Sequence, residues 1–418
     1  MSTVYSENLN QAFQQVRQAA GQLALVSAGQ KREALTAMAA ALMAQKDDIL
    51  EANTLDLEAS REMAVSDLIL DWLKLTPERL QGAVDILSRL AALGYLTTPL
   101  QAASVAQSGI IAAHRTVPLG VVALIYEAFP EIGAIAAALN LYTGNGLILR
   151  GGNEASQTNQ MIVQALRTAL AKTGLPESSL VLLSPGLGET LQEVVSASHA
   201  VDLVIPYGRP SLIQQVMRQA TVPVLKTVMG NCYLYWGGSG SLETTLWMIS
   251  ESHRGEPDPI NSIEKVLIPE EHSTSTLTRL WNRLWERGYE LRGDPSLVQD
   301  FPDLLAAEPE DWSQPYLTKT IAFQRVADLK TAIAIMNRYS SGHADCLVTN
   351  TYQESQQFAS GIRSQTVYIN QSPRFSRNPD QASEIALGVA VPGMQPGGLI
   401  GLETLTQPQR LMQGNLKR

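Results

Sequence analysis

The residues of this chain that could do chemistry are few and scattered. Its two cysteines, Cys232 and Cys346, stand far apart, with no CxxC spacing and no histidine at a metal-ligand offset. Neither a disulfide framework nor a zinc or other metal site follows from them. Cys232 lies in Asn231-Cys232-Tyr233-Leu234-Tyr235-Trp236 and Cys346 precedes Leu347-Val348-Thr349, both strand-like runs. A free cysteine in such a run reads as a core residue, not as a nucleophile. His253 and His343 have no partner in the sequence that would make either a base, and they read as surface or packing residues. Gly237-Gly238-Ser239-Gly240-Ser241 could aim backbone N–H groups at an anion, but it lacks the lysine and the spacing of a P-loop. A connector with Ser241 as helix N-cap is the better reading. Gly186-Leu187-Gly188 is too short for a dinucleotide fingerprint.

The elements that must position these residues are clearer. The first hundred residues are helical: Glu33 to Met43 carries apolar residues at helical spacing among strong helix formers, and Thr76-Pro77 supplies an N-cap and a first-turn proline. From Val121 the pattern alternates. Short apolar runs at Val121–Ile125, Leu147–Leu149, Leu180–Leu183 and Leu203–Ile205 are separated by helix-length segments, which implies a parallel sheet covered on both faces. A second set follows at Val266–Ile268, Ile321–Phe323, Cys346–Val348 and Val367–Ile369, so pattern alone gives two α/β units. The chain has 418 residues, enough for two domains, and a net charge of −9 with dispersed lysines and arginines, which argues against nucleic-acid binding. With no basic leader and no run of roughly 20 apolar residues, the expectation is a soluble cytoplasmic protein with no membrane contact.

The segment His253-Arg254-Gly255-Glu256-Pro257-Asp258-Pro259-Ile260-Asn261-Ser262-Ile263-Glu264-Lys265-Val266-Leu267-Ile268 resembles, without a gap, the K-T-Q-R-P-G-V-C-N-A-x-E-T-L-L-V signature of γ-glutamyl phosphate reductases, also called glutamate-5-semialdehyde dehydrogenases. The resemblance covers nearly the whole chain. Lys31–Leu35, Ala52-Asn53 with Asp56-Leu57, Leu75–Arg79, Pro118–Val122, Ile125–Ala128, Gly144-Asn145, Leu149–Ala155, Val367–Asn370 and Gly401–Glu403 all match family segments. It implies an α/β, aldehyde-dehydrogenase-like fold: a Rossmann-type cofactor domain, an α/β catalytic domain and an oligomerisation arm. The corresponding bounds are residues 1–250 with about 386–418 for the first, 251–385 for the second, and about 105–117 and 395–418 for the arm. The activity it implies is NADPH-dependent reduction of γ-glutamyl phosphate to glutamate 5-semialdehyde in proline biosynthesis. There a cysteine thiolate displaces phosphate to give a thioester that hydride then reduces.

In this alignment the nucleophilic cysteine falls on Ile260, which has no nucleophilic atom, so the covalent step cannot run there. Asn261 could still present its backbone N–H to an oxyanion. For an NADP cofactor the resemblance implies Arg150, Gly151, Gly152 and Glu154 at a strand end, and Tyr207 and Gly208 in the loop the family writes P-R-G. A tight strand-to-helix turn with a capping glutamate explains the first four equally well. Other polar positions depart too. The family's arginine and asparagine after I-Y-E-A become Phe129 and Glu131, its C-H pair becomes Cys232-Tyr233, and E-Y-L-D becomes Pro315-Tyr316-Leu317-Thr318. G-A-E-I-G becomes Ala382–Ala386, and H-A-R-G becomes Gln395–Gly398. The expectation is a non-catalytic family member acting by binding or assembly, as a homodimer or larger and with room for a protein partner, its NADP binding weak or lost. The rivals are an active reductase and an altered enzyme that handles an acyl phosphate or nucleotide without reducing it.

Overall fold

The computed structural model describes residues 2–93, 101–103, 111–183, 191–381, 384–391 and 398–413. The chain divides into two units: Met1–Thr227 with Arg377–Leu387 and Leu399–Arg418, and Val228–Ser376 with Gly388–Gly398. The first boundary thus falls some twenty residues before the expected one at 250. The reason is strand pairing: Cys232–Trp236 hydrogen-bonds in parallel to Ile263–Pro269 and to Ala344–Val348, both in the second unit. Likewise Gly388–Gly398, expected with the first unit, groups with the second.

The first unit opens with five helices, Ser2–Leu23, Ala28–Ala44, Lys46–Glu62, Asp67–Leu73 and Pro77–Ala92. Ser27 and Gln30 form a capping box at the second, and Thr76 caps the fifth by accepting from the Arg79 N–H, with Pro77 in the first turn. A four-stranded parallel sheet follows, in the order Leu180–Leu182, Gly146–Arg150, Val121–Tyr126, Leu203–Tyr207. Its central strand is buried at every position because helices cover both faces. The helix Pro130–Thr143 is buried on nearly all sides, consistent with its run of alanine, isoleucine and leucine. Strand order reverses at Val121–Tyr126, which places the ends of that strand and of Leu203–Tyr207 at the crevice where α/β sheets bind ligands.

A three-stranded antiparallel sheet joins Gln101–Ala103, Ile111–Pro118 and Thr406–Gln413. Ile111–Pro118 and Thr406–Gln413 fall largely within the expected arm ranges, about 105–117 and 395–418, whereas Gln101–Ala103 lies before the first of them. Thr406–Gln413 pairs on one side only among the described residues, with Pro408 in its middle, a residue tolerated on edge strands. Such an edge offers backbone donors and acceptors to a second subunit. Light scattering at micromolar concentration should therefore report at least a dimer; a monodisperse 45.4 kDa species would count against the arm.

The second unit is built on a seven-stranded parallel sheet, in the order Leu305–Ala306, Glu290–Gly293, Thr320–Val326, Ile263–Pro269, Cys232–Trp236, Ala344–Val348, Thr366–Ile369. Side chains alternate across it. Leu234, Trp236, Val266 and Phe323 enter one core with Trp281 and Ile249, while Tyr233, Tyr235, Leu267 and Leu347 enter another with Met336 and Phe358. Among the described residues no helix is long and apolar enough to cross a membrane.

Candidate functional site

In the second unit, Ile260 is 1% exposed and sits in the turn before the strand Ile263–Pro269. Its carbonyl oxygen accepts from the Gly230 N–H at 2.9 Å and bonds to His343 Nε2 at 2.8 Å. Burial lowers the His343 imidazole to about 4, so at neutral pH it is uncharged. Cys232 Sγ lies 3.4 Å from the same Nε2 and 3.8 Å from the Ile260 oxygen, but burial pushes its thiol well up, and the same holds for Cys346. Both cysteines are fully buried and neither is a thiolate at neutral pH. The histidine thus fixes a backbone turn, a packing role in keeping with its sequence reading. His253 does the same at the Ile263 carbonyl. Asn261 is held by its side-chain amide, which donates to the Pro373 carbonyl at 2.8 Å.

The adjoining Glu264 was not singled out from sequence, nor was Lys265, although it stands where the family signature has threonine. Both are fully buried. The Glu264 carboxylate accepts from the backbone N–H groups of Asn231, Tyr316 and Leu317 at 2.8 to 3.0 Å, tying down two turns in which Asn231 and Leu317 have φ of 55° and 60°. Lys265 Nζ lies 3.5 Å from Glu264 Oε2 and 3.7 Å above the Tyr316 ring, and desolvation lowers its pKa. Tyr316, which keeps the family's tyrosine between the departures at Pro315 and Thr318, therefore lines a buried charge pair. The connector at Gly237–Ser241 behaves as its sequence suggests: Ser241 caps the following helix by accepting from the Thr244 N–H.

In the first unit, the expected cofactor residues are brought to the ends of the parallel strands. Arg150 ends its strand, and Gly151 and Gly152 follow. A Cβ at Gly151 would lie 2.2 Å from Asn159 Nδ2, and one at Gly152 would meet the Glu154 carboxylate, so only glycine permits this turn. Beside them, Ser156, Asn159, Gln160 and Arg167 help to line a cleft of about 700 Å³. Several backbone donors near these strand ends are already engaged. Glu154 accepts from the Ala128 N–H at 2.7 Å, Glu127 from the Arg209 N–H at 2.5 Å, and Asp56 from the N–H groups of Gln157 and Thr158 at the start of the next helix. Gly208, at φ 150°, lets Glu127 lie over its Cα. Arg209 answers that carboxylate with a 3.0 Å ion pair and so is not a freed replacement for the family's arginine.

Tyr207, expected at the cofactor, is instead enclosed in the core, 1% exposed. Its ring meets Phe129 edge-on, with centroids 5.8 Å apart, and Phe129 stacks on Trp72 at 4.6 Å. Arg377, itself buried, donates to the Tyr207 hydroxyl at 2.6 Å. Glu131, in the first turn of Pro130–Thr143, accepts from Arg79 Nη2 on both carboxylate oxygens, at 2.5 and 2.7 Å, and from Nε at 3.0 Å. Three separate departures from the family pattern, at 129, 131 and 207, are thereby packed or paired internally. The segments Gly186–Gly188, Ala382-Ser383 and Gln395–Gly397 lie outside the described residues. Among the described residues no cluster of histidine, cysteine and carboxylate side chains could hold a metal ion.

The model of the aldehyde dehydrogenase family matches residues 1–232. The chain is 47% identical over 398 residues to gamma-glutamyl phosphate reductase 2 of Synechocystis sp., covering 94% of each, and 36% identical over 414 residues to the gamma-glutamyl phosphate reductase of Gloeobacter violaceus, covering 99% of this chain and 98% of that protein. Its structure superposes on the crystal structure of gamma-glutamyl phosphate reductase from Thermotoga maritima with a TM-score of 0.88 at 30% identity, covering 98% and 99% of the two chains.

Proposed function

We propose, for a chain that belongs to the aldehyde dehydrogenase family and within it to the γ-glutamyl phosphate reductases, a role that does not use thiol catalysis: binding or assembly, not reduction of γ-glutamyl phosphate. The observation that carries this reading is the fully enclosed Ile260 with Cys232 beside it; the thiols of Cys232 and Cys346 are both buried and protonated. Without a thiolate no thioester can form, and hydride has no covalent acyl group to reduce. The packing of Phe129 and Tyr207 against each other, and of Glu131 onto Arg79, supports the same conclusion, because these polar family positions have been absorbed into the interior.

The family implies a nicotinamide cofactor, NADP among these reductases. The cleft beside Gly151-Gly152 has room for a nucleoside. The strand ends suit the pyrophosphate less well, since Glu127, Glu154 and Asp56 take the backbone donors and Tyr207 brings no cation. That cleft favours a second reading, an altered enzyme that retains a nucleotide without reducing an acyl group. Calorimetric titration with NADPH separates the two. The account expects a dissociation constant in the high micromolar range or weaker. A site of about one micromolar or tighter, some 8 kcal/mol of binding, would show that the cleft is in use and would favour the second reading.

A further inference from the structure

The first unit contains a second cavity, away from the strand ends, of about 240 Å³, formed between the helix Ala28–Ala44, the end of Pro77–Ala92 and the arm strand Ile111–Pro118. Its walls are aliphatic, with Leu35, Leu90 and Val117 among them, and its charged residues are Lys31 and Arg32. Among the described residues no carboxylate lines it. Lys31 is partly buried, and desolvation lowers its pKa with no acidic neighbour to oppose the shift. Its ammonium reaches the Tyr142 carbonyl at 3.5 Å, the outer limit of a hydrogen bond, over the last turn of Pro130–Thr143. Gly144, at φ 89°, leaves it that room: a Cβ there would lie 2.8 Å from Nζ. A half-enclosed ammonium with three donors and one distant acceptor remains under-satisfied, and an anion would relieve it.

We infer that this cavity binds a small organic monoanion, a carboxylate with an apolar body and no ammonium group, with its carboxylate on Lys31 and Arg32 and its body against Leu35 and Leu90. The aliphatic walls exclude a bare inorganic anion as the best occupant, since they would gain nothing from it. The absence of an acidic lining residue excludes an amino acid, whose ammonium would be buried without a counter-charge. At roughly 30 Å³ per water, the volume equals about eight waters and so admits a body of branched-chain or single-ring size. The inference does not depend on whether the chain retains catalysis.

The test is calorimetric titration of the full chain with 4-methyl-2-oxopentanoate, leucine and inorganic phosphate. The oxo acid should bind saturably with sub-millimolar affinity. Leucine, with the same body plus an ammonium, and phosphate, with charge but no body, should each bind at least about tenfold more weakly. Lys31→Met should weaken the oxo acid by about tenfold or more, and Arg32→Gln, at an exposed position that folding does not need, by a few-fold. No saturable heat with the oxo acid would overturn the inference, as would equal binding of leucine. So would undiminished binding by Arg32→Gln and a folded Lys31→Met protein, which would leave Lys31 as a helix cap alone.

Discussion

Ile260→Cys is expected to leave the protein without useful reductase activity, at less than about a thousandth of the rate of a cysteine-bearing relative assayed alongside it. A thiol at this position would be enclosed, and enclosure raises its pKa. The imidazole nearest to it, His343, is held near 4 by burial and so offers no positive charge to stabilise a thiolate at neutral pH. The backbone carbonyl of residue 260 is itself fixed by Gly230 and His343, so the turn has little freedom to present the new side chain differently. The measurement is NADP-dependent oxidation of glutamate 5-semialdehyde, the convenient reverse direction. Recovery to within tenfold of the relative would show that one substitution separates this chain from an enzyme.

Restoring the family residues at positions 129 and 131 should cost stability heavily. Glu131→Asn replaces the carboxylate with a shorter, neutral amide and leaves a guanidinium whose side chain is 14% exposed without its counter-charge; stripping one charge from a buried pair costs about 3–5 kcal/mol. Phe129→Arg loses an aromatic ring stacked on Trp72 and places a charge in the same space, for about 4 kcal/mol or more. Urea denaturation of the two variants and of wild type gives both values. Because Phe129 and Tyr207 touch, the double replacement of these two should fall short of the sum of the single effects by about 1 kcal/mol. Penalties below about 1 kcal/mol for the reversions would mean that these positions still border an open polar site, contrary to the packing described.

Much of this architecture is legible in the sequence because periodicity reports burial. The strand over Val121–Tyr126 and the caps at Thr76 and Ser241 follow from local pattern and local hydrogen bonding. The boundary between the units is not local. The run Cys232–Trp236 is apolar on both faces whichever sheet it joins, and only its pairing with Ile263–Pro269 assigns it. That second strand begins three residues earlier than its apolar core suggests, with Glu264 and Lys265 inside it. A pattern reading places two charged residues at a wet strand end; here backbone N–H groups from two distant turns satisfy the glutamate, and a tyrosine face receives the lysine. At Tyr207 alignment and packing point different ways for a similar reason. Its place beside Gly208 in the alignment points to the cofactor, whereas its partner Phe129 lies far away in sequence and is itself a departure. Alignment locates where polarity has been lost, but it does not show that the lost positions meet.

The central claim, that this chain does not carry out the reductase reaction, is tested most directly on the unmodified protein. Purified wild-type chain, and a Cys232→Ser/Cys346→Ser variant that removes both buried thiols, should oxidise glutamate 5-semialdehyde with NADP no faster than a protein-free blank, while a cysteine-bearing relative prepared in parallel turns over readily. Robust turnover by the wild-type chain would contradict the account, and turnover that persists in the variant would require a nucleophile other than Cys232 or Cys346.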